Sequence, residues 1–146
     1  MKIVNRKAHH NAQLLEHFEA GIKLTGAEVK AVRQGHVDLT GSFVKISGNE
    51  AYLFNANIFP YEYARPEGYD PRRTRKLLLH KKQLIALRSK MEGQNLTIVP
   101  VSLYTTPNLI KLELALGKPK KQFDKRKDLK QKTLERDVEE ALLNQN

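Results

Sequence analysis

Apolar and polar residues alternate along most of the first 116 positions, and the pattern predicts short strands with two helices between them. In residues 13–24, QLLEHFEAGIKL, the apolar positions Leu15, Phe18, Ile22 and Leu24 surround a glycine, which predicts a strand bent or interrupted at Gly21. SFVKIS and EAYLFNANI follow, joined by Gly48 and Asn49. Phe43, Val44 and Ile46 stand on one arm and Tyr52, Phe54 and Ile58 on the other, so the pair predicts an antiparallel hairpin. LTIVPVSLY and LIKLELAL give two more strands. Pro100 cannot donate to a ladder, so the first of these is expected to be an edge or to carry a bulge.

A helical period replaces the alternation in two places. In TGAEVKAVRQG, Thr25 and Glu28 are spaced so that each side chain can satisfy the other's free backbone N–H, and Gly35 supplies the stop. Leu84, Leu87 and Met91 fall at i, i+3 and i+7 over residues 80–92, with Gly93 as the expected cap. From Pro60 to Pro71, YEYARPEGYDP predicts a mobile loop. The resulting fold class is mainly β: a small closed antiparallel barrel with two short helices over residues 1–116, followed by a tail over residues 117–146.

Charge changes this picture from a bare scaffold to a polyanion binder. Net charge is +10 over 146 residues, which favours nucleic acid first, an anionic membrane surface second and acidic proteins third. GKPKKQFDKRKDLKQK, residues 117–132, holds eight lysines and arginines against two aspartates. RRTRKLLLHKK, residues 72–82, holds six and no acid. One such run is ordinarily a solvated surface. Two of them, flanking aromatic-bearing loops on a barrel, point to nucleic acid. In the tail the basic groups come first and ERDVEE follows, opposite to what a helix dipole prefers. Leu134, Val138, Ala141 and Leu142 offer only a thin apolar stripe, so the free tail is expected to be largely disordered.

Other chemistries lack their residues. Cysteine is absent, which removes disulfides, thiolate metal sites and thiol catalysis. The N-terminal stretch has no apolar signal region, and no apolar run approaches a membrane span, so a soluble, cytoplasmic chain without membrane contact is expected. Glu28-Val29-Lys30 matches part of a nuclease metal motif, but no aspartate precedes Asp38, and capping accounts for Glu28. His9 and His10 are adjacent and cannot both face one metal from a regular helix. The phosphate-loop, dinucleotide and nucleophile-elbow motifs are absent. Neither catalysis nor a cofactor is expected.

Six blocks carry a resemblance: NRKA at 5–8, FEAGIKLTGAEVKAVRQG at 18–35, NEAYLFNANI at 49–58, DPRRTRKLLLHKKQL at 70–84, VPVSLY at 99–104 and KKQFDKR at 120–126. In this order and spacing they resemble the bacterial SsrA-binding proteins, the small protein B family. The resemblance implies an oligonucleotide-binding (OB) barrel with a basic C-terminal tail. It implies binding to the tRNA-like part of transfer-messenger RNA (tmRNA, or SsrA RNA) and delivery with elongation factor Tu to stalled ribosomes, by a protein that acts as a monomer. The tail would then order against small-subunit ribosomal RNA in the empty decoding centre and messenger channel. A ribosome-associated barrel without preference for tmRNA is the alternative.

The resemblance also implies site residues. Contacts to tmRNA fall on Glu19, Leu78 and His80, with phosphate contacts at Arg6, Lys7, Lys30, Arg33, Arg75 and Lys76. A carboxylate repels phosphate, so Glu19 is expected to accept from bases or 2′-hydroxyls and to act in specificity. Contacts in the decoding centre fall on Lys120, Lys121, Phe123, Asp124, Lys125 and Arg126, where the Phe123 ring can stack on a base. Pro119 stands where many relatives have glycine, with Gly117 displaced before it, and is expected to stiffen the exit from the barrel.

Overall fold

The computed structural model describes residues 1–60 and 68–119. Within them the strands are β1 (Lys2–Val4), β2 (Ala12–Ile22), β3 (Val37–Asp38), β4 (Phe43–Ser47), β5 (Glu50–Phe54), β6 (Asn57–Ile58), β7 (Arg75–Leu78), β8 (Thr97–Thr105) and β9 (Ile110–Pro119). The helices are α1 (Ala8–Asn11), α2 (Gly26–Arg33) and α3 (Lys81–Gln94). Seven strands form one antiparallel sheet in the order β1-β8-β4-β5-β7-β2-β9, and β8 also pairs with β9. Pairing therefore runs in a circuit from β8 through β4, β5, β7, β2 and β9 back to β8. β3 and β6 form a separate two-stranded sheet.

Strand periodicity sorts side chains to two faces of this circuit. Leu112, Leu114 and Leu116 of β9 are buried, as are Leu53, Leu77, Ile98 and Leu103 from neighbouring strands. Residues between them, such as Lys76, Leu78, Lys111 and Glu113, point outward. The predicted hairpin forms in register from Phe43↔Phe54 to Ser47↔Glu50, and Gly48 takes a positive φ of 61° at its turn. Its second arm is shorter than expected. The chain turns at Asn55, φ 61°, and Ile58 pairs with Val37 instead. Pro100 sits at a register shift between Pro100 and Ser102, so the expected bulge is present; β8 is no edge, because it pairs with β1, β4 and β9.

Several expectations need correction. The irregularity in β2 lies between Leu14 and Glu16 rather than at Gly21, which keeps its place in the ladder. Among the described residues there are three helices, not two; α1 is a single turn without apolar period, and so left no signal. α2 is capped as predicted, with Glu28 N–H donating to Thr25 Oγ1 at 3.2 Å and Thr25 N–H to Glu28 Oε1 at 2.9 Å. α3 runs through Gly93 and stops at Asn95 in the left-handed conformation, φ 54°. Sheet pairing continues past residue 116. Gly117 pairs with Leu14 and Thr97, and Pro119 with Ala12. A Cβ on Gly117 would lie 2.8 Å from Val99 Cγ2, so this glycine permits a close strand approach. Residues 61–67 of the predicted loop lie outside the described residues.

Candidate nucleic-acid interface

The outer face of β2 is set by its inner one. Phe18, Ala20 and Ile22 belong to the core or pack on it, so His17, Glu19 and Gly21 face out. Ladder register then carries these positions across the sheet. Gly21 is the partner of Leu78 on β7 and of Lys111 on β9; Lys111 is in turn the partner of Tyr104, and Tyr104 of Lys2. One row thus reads Lys2, Tyr104, Lys111, Gly21, Leu78. The next row reads Val4, Ser102, Glu113, Glu19 by the same pairings.

Glu19, Leu78 and His80, which the resemblance singled out, are brought together here. Leu78 is 53% exposed despite its apolar side chain. It lies against Gly21, where an added Cβ would come within 3.1 Å of Leu78 Cβ. His80 is exposed just beyond β7, and its N–H donates to Gln83 Oε1 at 3.1 Å to start α3. Gly21, Lys76, Leu78, His80 and Lys111 line one hollow. A second hollow adjoins it, lined by Lys2, His17, Glu19, Tyr104 and Glu113.

Polar contacts fix this second hollow. Ser102 Oγ donates to Glu113 Oε2 at 2.7 Å, and His17 Nδ1 lies 3.2 Å from Oε1. The Ser102 hydroxyl and then His17 hold the Glu113 carboxyl below its usual range, against the opposing effect of burial. A hydrogen bond to Glu19, with burial added, pushes the Tyr104 hydroxyl up to about 12. Sequence reasoning missed Lys2, Tyr104, Lys111 and Glu113. Strand alternation was their available signal, but facing partners across β1, β8, β9 and β2 are set by register, which the sequence does not print.

The cations expected at phosphate are scattered. Lys76 Nζ is 3.3 Å from Glu50 Oε1, on the face that carries Leu78. Arg33 ends α2 and donates to Thr106 O at 2.9 Å, near the turn that joins β8 to β9. Lys30 is exposed on α2. Arg6 and Lys7 are exposed at the far end of β1, where Asn5 N–H donates to Val101 O, and Lys7 shares a groove with Pro119. They therefore sit beside the end of β9, apart from Glu19 and Leu78.

Arg75 is a correction. It is fully buried, so it meets no phosphate. Its Nε donates to Glu28 Oε2 at 2.6 Å, Nη1 to Ala56 O at 2.8 Å and Nη2 to Pro71 O at 3.0 Å. Arg73 Nη2 adds a bond to Glu28 Oε1 at 2.6 Å. Glu28 is 2% exposed and held by two guanidinium groups, which leaves the partial nuclease motif no accessible carboxylate. Lys120, Lys121, Phe123, Asp124, Lys125 and Arg126 lie outside the described residues.

Comparison with known proteins agrees with the resemblance. The model of the SmpB protein family matches residues 2–144. The SsrA-binding protein of Oleidesulfovibrio alaskensis is 47% identical over 139 residues, covering 95% of this chain and 90% of its own. That of Geotalea uraniireducens is 46% identical over 142 residues, covering 97% and 94%. Among solved structures, a chain described under "tmRNA-SmpB: a journey to the center of the bacterial ribosome" superposes with a TM-score of 0.68 at 46% identity, covering 83% of this chain and 85% of that one.

Proposed function

We infer function from one premise: the chain belongs to the SmpB protein family. It is an RNA-binding adaptor that binds tmRNA and takes it to the ribosome in trans-translation. The observation that carries this reading to particular residues is the pairing Gly21↔Leu78, which gathers Glu19, Leu78 and His80 on one outward face. We propose that this face meets the tRNA-like part of tmRNA. Lys76 and Lys111 meet phosphate there, Leu78 offers an apolar contact to a base or ribose, and Glu19 accepts from base or 2′-hydroxyl donors. Lys30 and Arg33 extend the cationic rim, while Arg6 and Lys7 serve the side where β9 ends at Pro119.

The strand circuit supports reading the body as a small closed barrel of OB type. In the full proposal the body holds tmRNA, and the tail beyond Pro119 enters the empty decoding centre, where Phe123 stacks and the flanking cations meet ribosomal phosphates. Elongation factor Tu travels in the same complex. No catalytic step is assigned to the chain, and the site of action is the cytoplasm. No described helix is long and apolar enough to cross a membrane.

Purification of the full chain from its cells, with sequencing of the RNA that comes with it, tests the reading. Strong enrichment of tmRNA over bulk tRNA is expected, and the same preference should appear in direct competition. Equal recovery of the two RNAs would overturn tmRNA specificity and leave a general ribosome-associated RNA binder.

A further inference from the structure

The face that carries Glu19 and Leu78 does not stop at β2. Its rows run on across β9 and β8 to β1, and the residues there differ in kind between the two rows. Lys2 and Lys111 flank Tyr104, each on the strand beside it. Neighbouring strands lie about 4.8 Å apart, so the aromatic ring stands between two long cationic side chains whose backbones are roughly 9.6 Å apart. One step along the strands the row is acidic, with Glu113 next to Glu19. RNA laid over both rows has one favourable orientation: phosphates along the lysines, base edges toward the carboxylates.

The acceptor is already held in place, and the aromatic ring stands beside it. Tyr104 is half-buried in the hollow that it shares with Glu19. Glu113 is gripped by Ser102 at 2.7 Å and by His17 at 3.2 Å, so little side-chain freedom remains to be lost on binding. Lys2, Tyr104, Glu113, Glu19 and His17 line one concave space that opens on the outer surface. An ionised carboxylate only accepts hydrogen bonds. Guanine is the base whose Watson–Crick edge presents two adjacent donors, N1–H and the N2 amino group.

We propose that this hollow takes one unpaired guanine nucleotide of the bound RNA, its base on the Tyr104 ring, its N1–H and N2–H donors at Glu113 and its phosphate between Lys2 and Lys111. The assignment rests on the reading that this outer face binds tmRNA, and it extends the footprint from β2 and β7 to β8 and β1. Tyr104, Glu113 and Lys2 become specificity residues of the same surface.

Dicarbonyl modification of guanine N1 and N2, read along tmRNA bound to the full chain, tests the proposal directly. An unpaired guanine should be protected by the unsubstituted protein. Tyr104→Leu and Glu113→Gln should each expose it while the rest of the footprint persists, whereas Tyr104→Phe, which keeps the ring, should retain protection. Affinity for tmRNA should fall about tenfold to a hundredfold in Tyr104→Leu. Thermal unfolding of each variant checks the fold, and Glu113→Gln, at the surface, guards against loss of folding in the tyrosine variant. Protection that survives both Tyr104→Leu and Glu113→Gln, or a footprint without a protected unpaired guanine, would overturn the proposal alone. Absence of any tmRNA footprint from the unsubstituted chain would overturn the functional reading and this inference with it.

Discussion

Arg75 and Glu28 meet 2.6 Å apart inside the protein, Nε to Oε2, with 0% and 2% of their surfaces exposed. Two charges taken from water together are stable only when their remaining hydrogen-bonding groups are also satisfied. Here Arg75 also donates to Ala56 O and Pro71 O, and Glu28 accepts from Arg73 and the Thr25 N–H. The pair clips the start of α2 to β7 and to the chain on either side of residues 61–67. The pair and its partners come from three separate stretches of sequence, around residues 25–28, 56 and 71–75, so the pair specifies how those stretches meet.

Removing one partner should therefore cost far more than the pair itself contributes. Arg75→Ala leaves a buried carboxylate facing two carbonyls, and a loss of about 3–5 kcal/mol in denaturant unfolding is expected. Arg75→Lys cannot reproduce the three-way fork and should restore little. The pH dependence follows from Glu28. Burial raises its pKa, but the bonds from Arg73, Thr25 and Arg75 outweigh burial and hold it below the ordinary 4.5. A carboxyl depressed in the folded state adds stability that is complete above its unfolded pKa and is lost as pH falls through the folded one. Stability should thus be insensitive to Glu28 near neutrality and decline below about pH 4.5. In Glu28→Gln that part of the acid slope should vanish, from a lower starting stability.

The same pair shows where sequence reading succeeded and where it stopped. The Thr25–Glu28 capping box, the hairpin around Gly48 and the bulge at Pro100 are local, and each was legible because one or two residues decide the backbone there. The basic run 72–82 was read as one surface, yet strand alternation turns Arg75 inward and Lys76 outward. Only the position of Glu28, 47 residues earlier in the chain, explains why an arginine can be buried. β1 and α1 are too short to show a period. Glu19, Leu78 and His80 came from resemblance, whereas Tyr104, Lys111 and Glu113 needed ladder register, which is a property of paired strands.

Gly21 and Gly117 both allow close packing, but on surfaces with different consequences. In Gly21→Ala the new Cβ would meet Leu78 Cβ at 3.1 Å, and the exposed leucine can yield outward. Unfolding stability should change by less than about 1 kcal/mol, since the unfolded chain also loses freedom. On the proposed RNA contact at Leu78, affinity for tmRNA should drop several-fold. Gly117→Ala meets Val99 Cγ2 at 2.8 Å and Ala12 Cβ at 3.2 Å between strands, where neither can yield freely. A stability loss of about 1–3 kcal/mol with unchanged tmRNA affinity of the folded protein is expected. Equal effects on binding from both variants would mean that the Gly21 notch has no special relation to RNA.

Charge and recognition make opposite predictions at Glu19. Glu19→Gln removes a negative charge from a surface that faces a polyanion, so a purely electrostatic surface would bind every RNA better. A carboxylate that accepts from RNA donors is harder to replace, because the amide offers one acceptor and introduces donors in its place. Weaker binding of tmRNA with equal or stronger binding of unrelated RNA is expected in one competition assay. The Tyr104 hydroxyl would also lose its charged partner, so its titration should move back down from about 12 in the variant, an optical check that the contact was present.

Replacing Asp124, Lys125 and Arg126 together with alanine separates placed contacts from bulk attraction. The change removes two cations and one anion, so the net charge of +10 falls by one. Delivery driven by long-range attraction should hardly notice. The body that carries Glu19, Leu78 and His80 is untouched, so tmRNA binding should be preserved, and the variant should still sediment with ribosomes. Tagging of stalled peptides should nevertheless collapse if these side chains and Phe123 meet defined bases and phosphates in the decoding centre. Phe123→Ala alone should cost about 1–3 kcal/mol of ribosome affinity if the ring stacks, and Phe123→Tyr or Phe123→His should recover much of it, since each keeps a π-face. Full tagging by the triple variant, with tmRNA binding verified in the same preparation, would reduce residues 117–132 to a solvated run of charge.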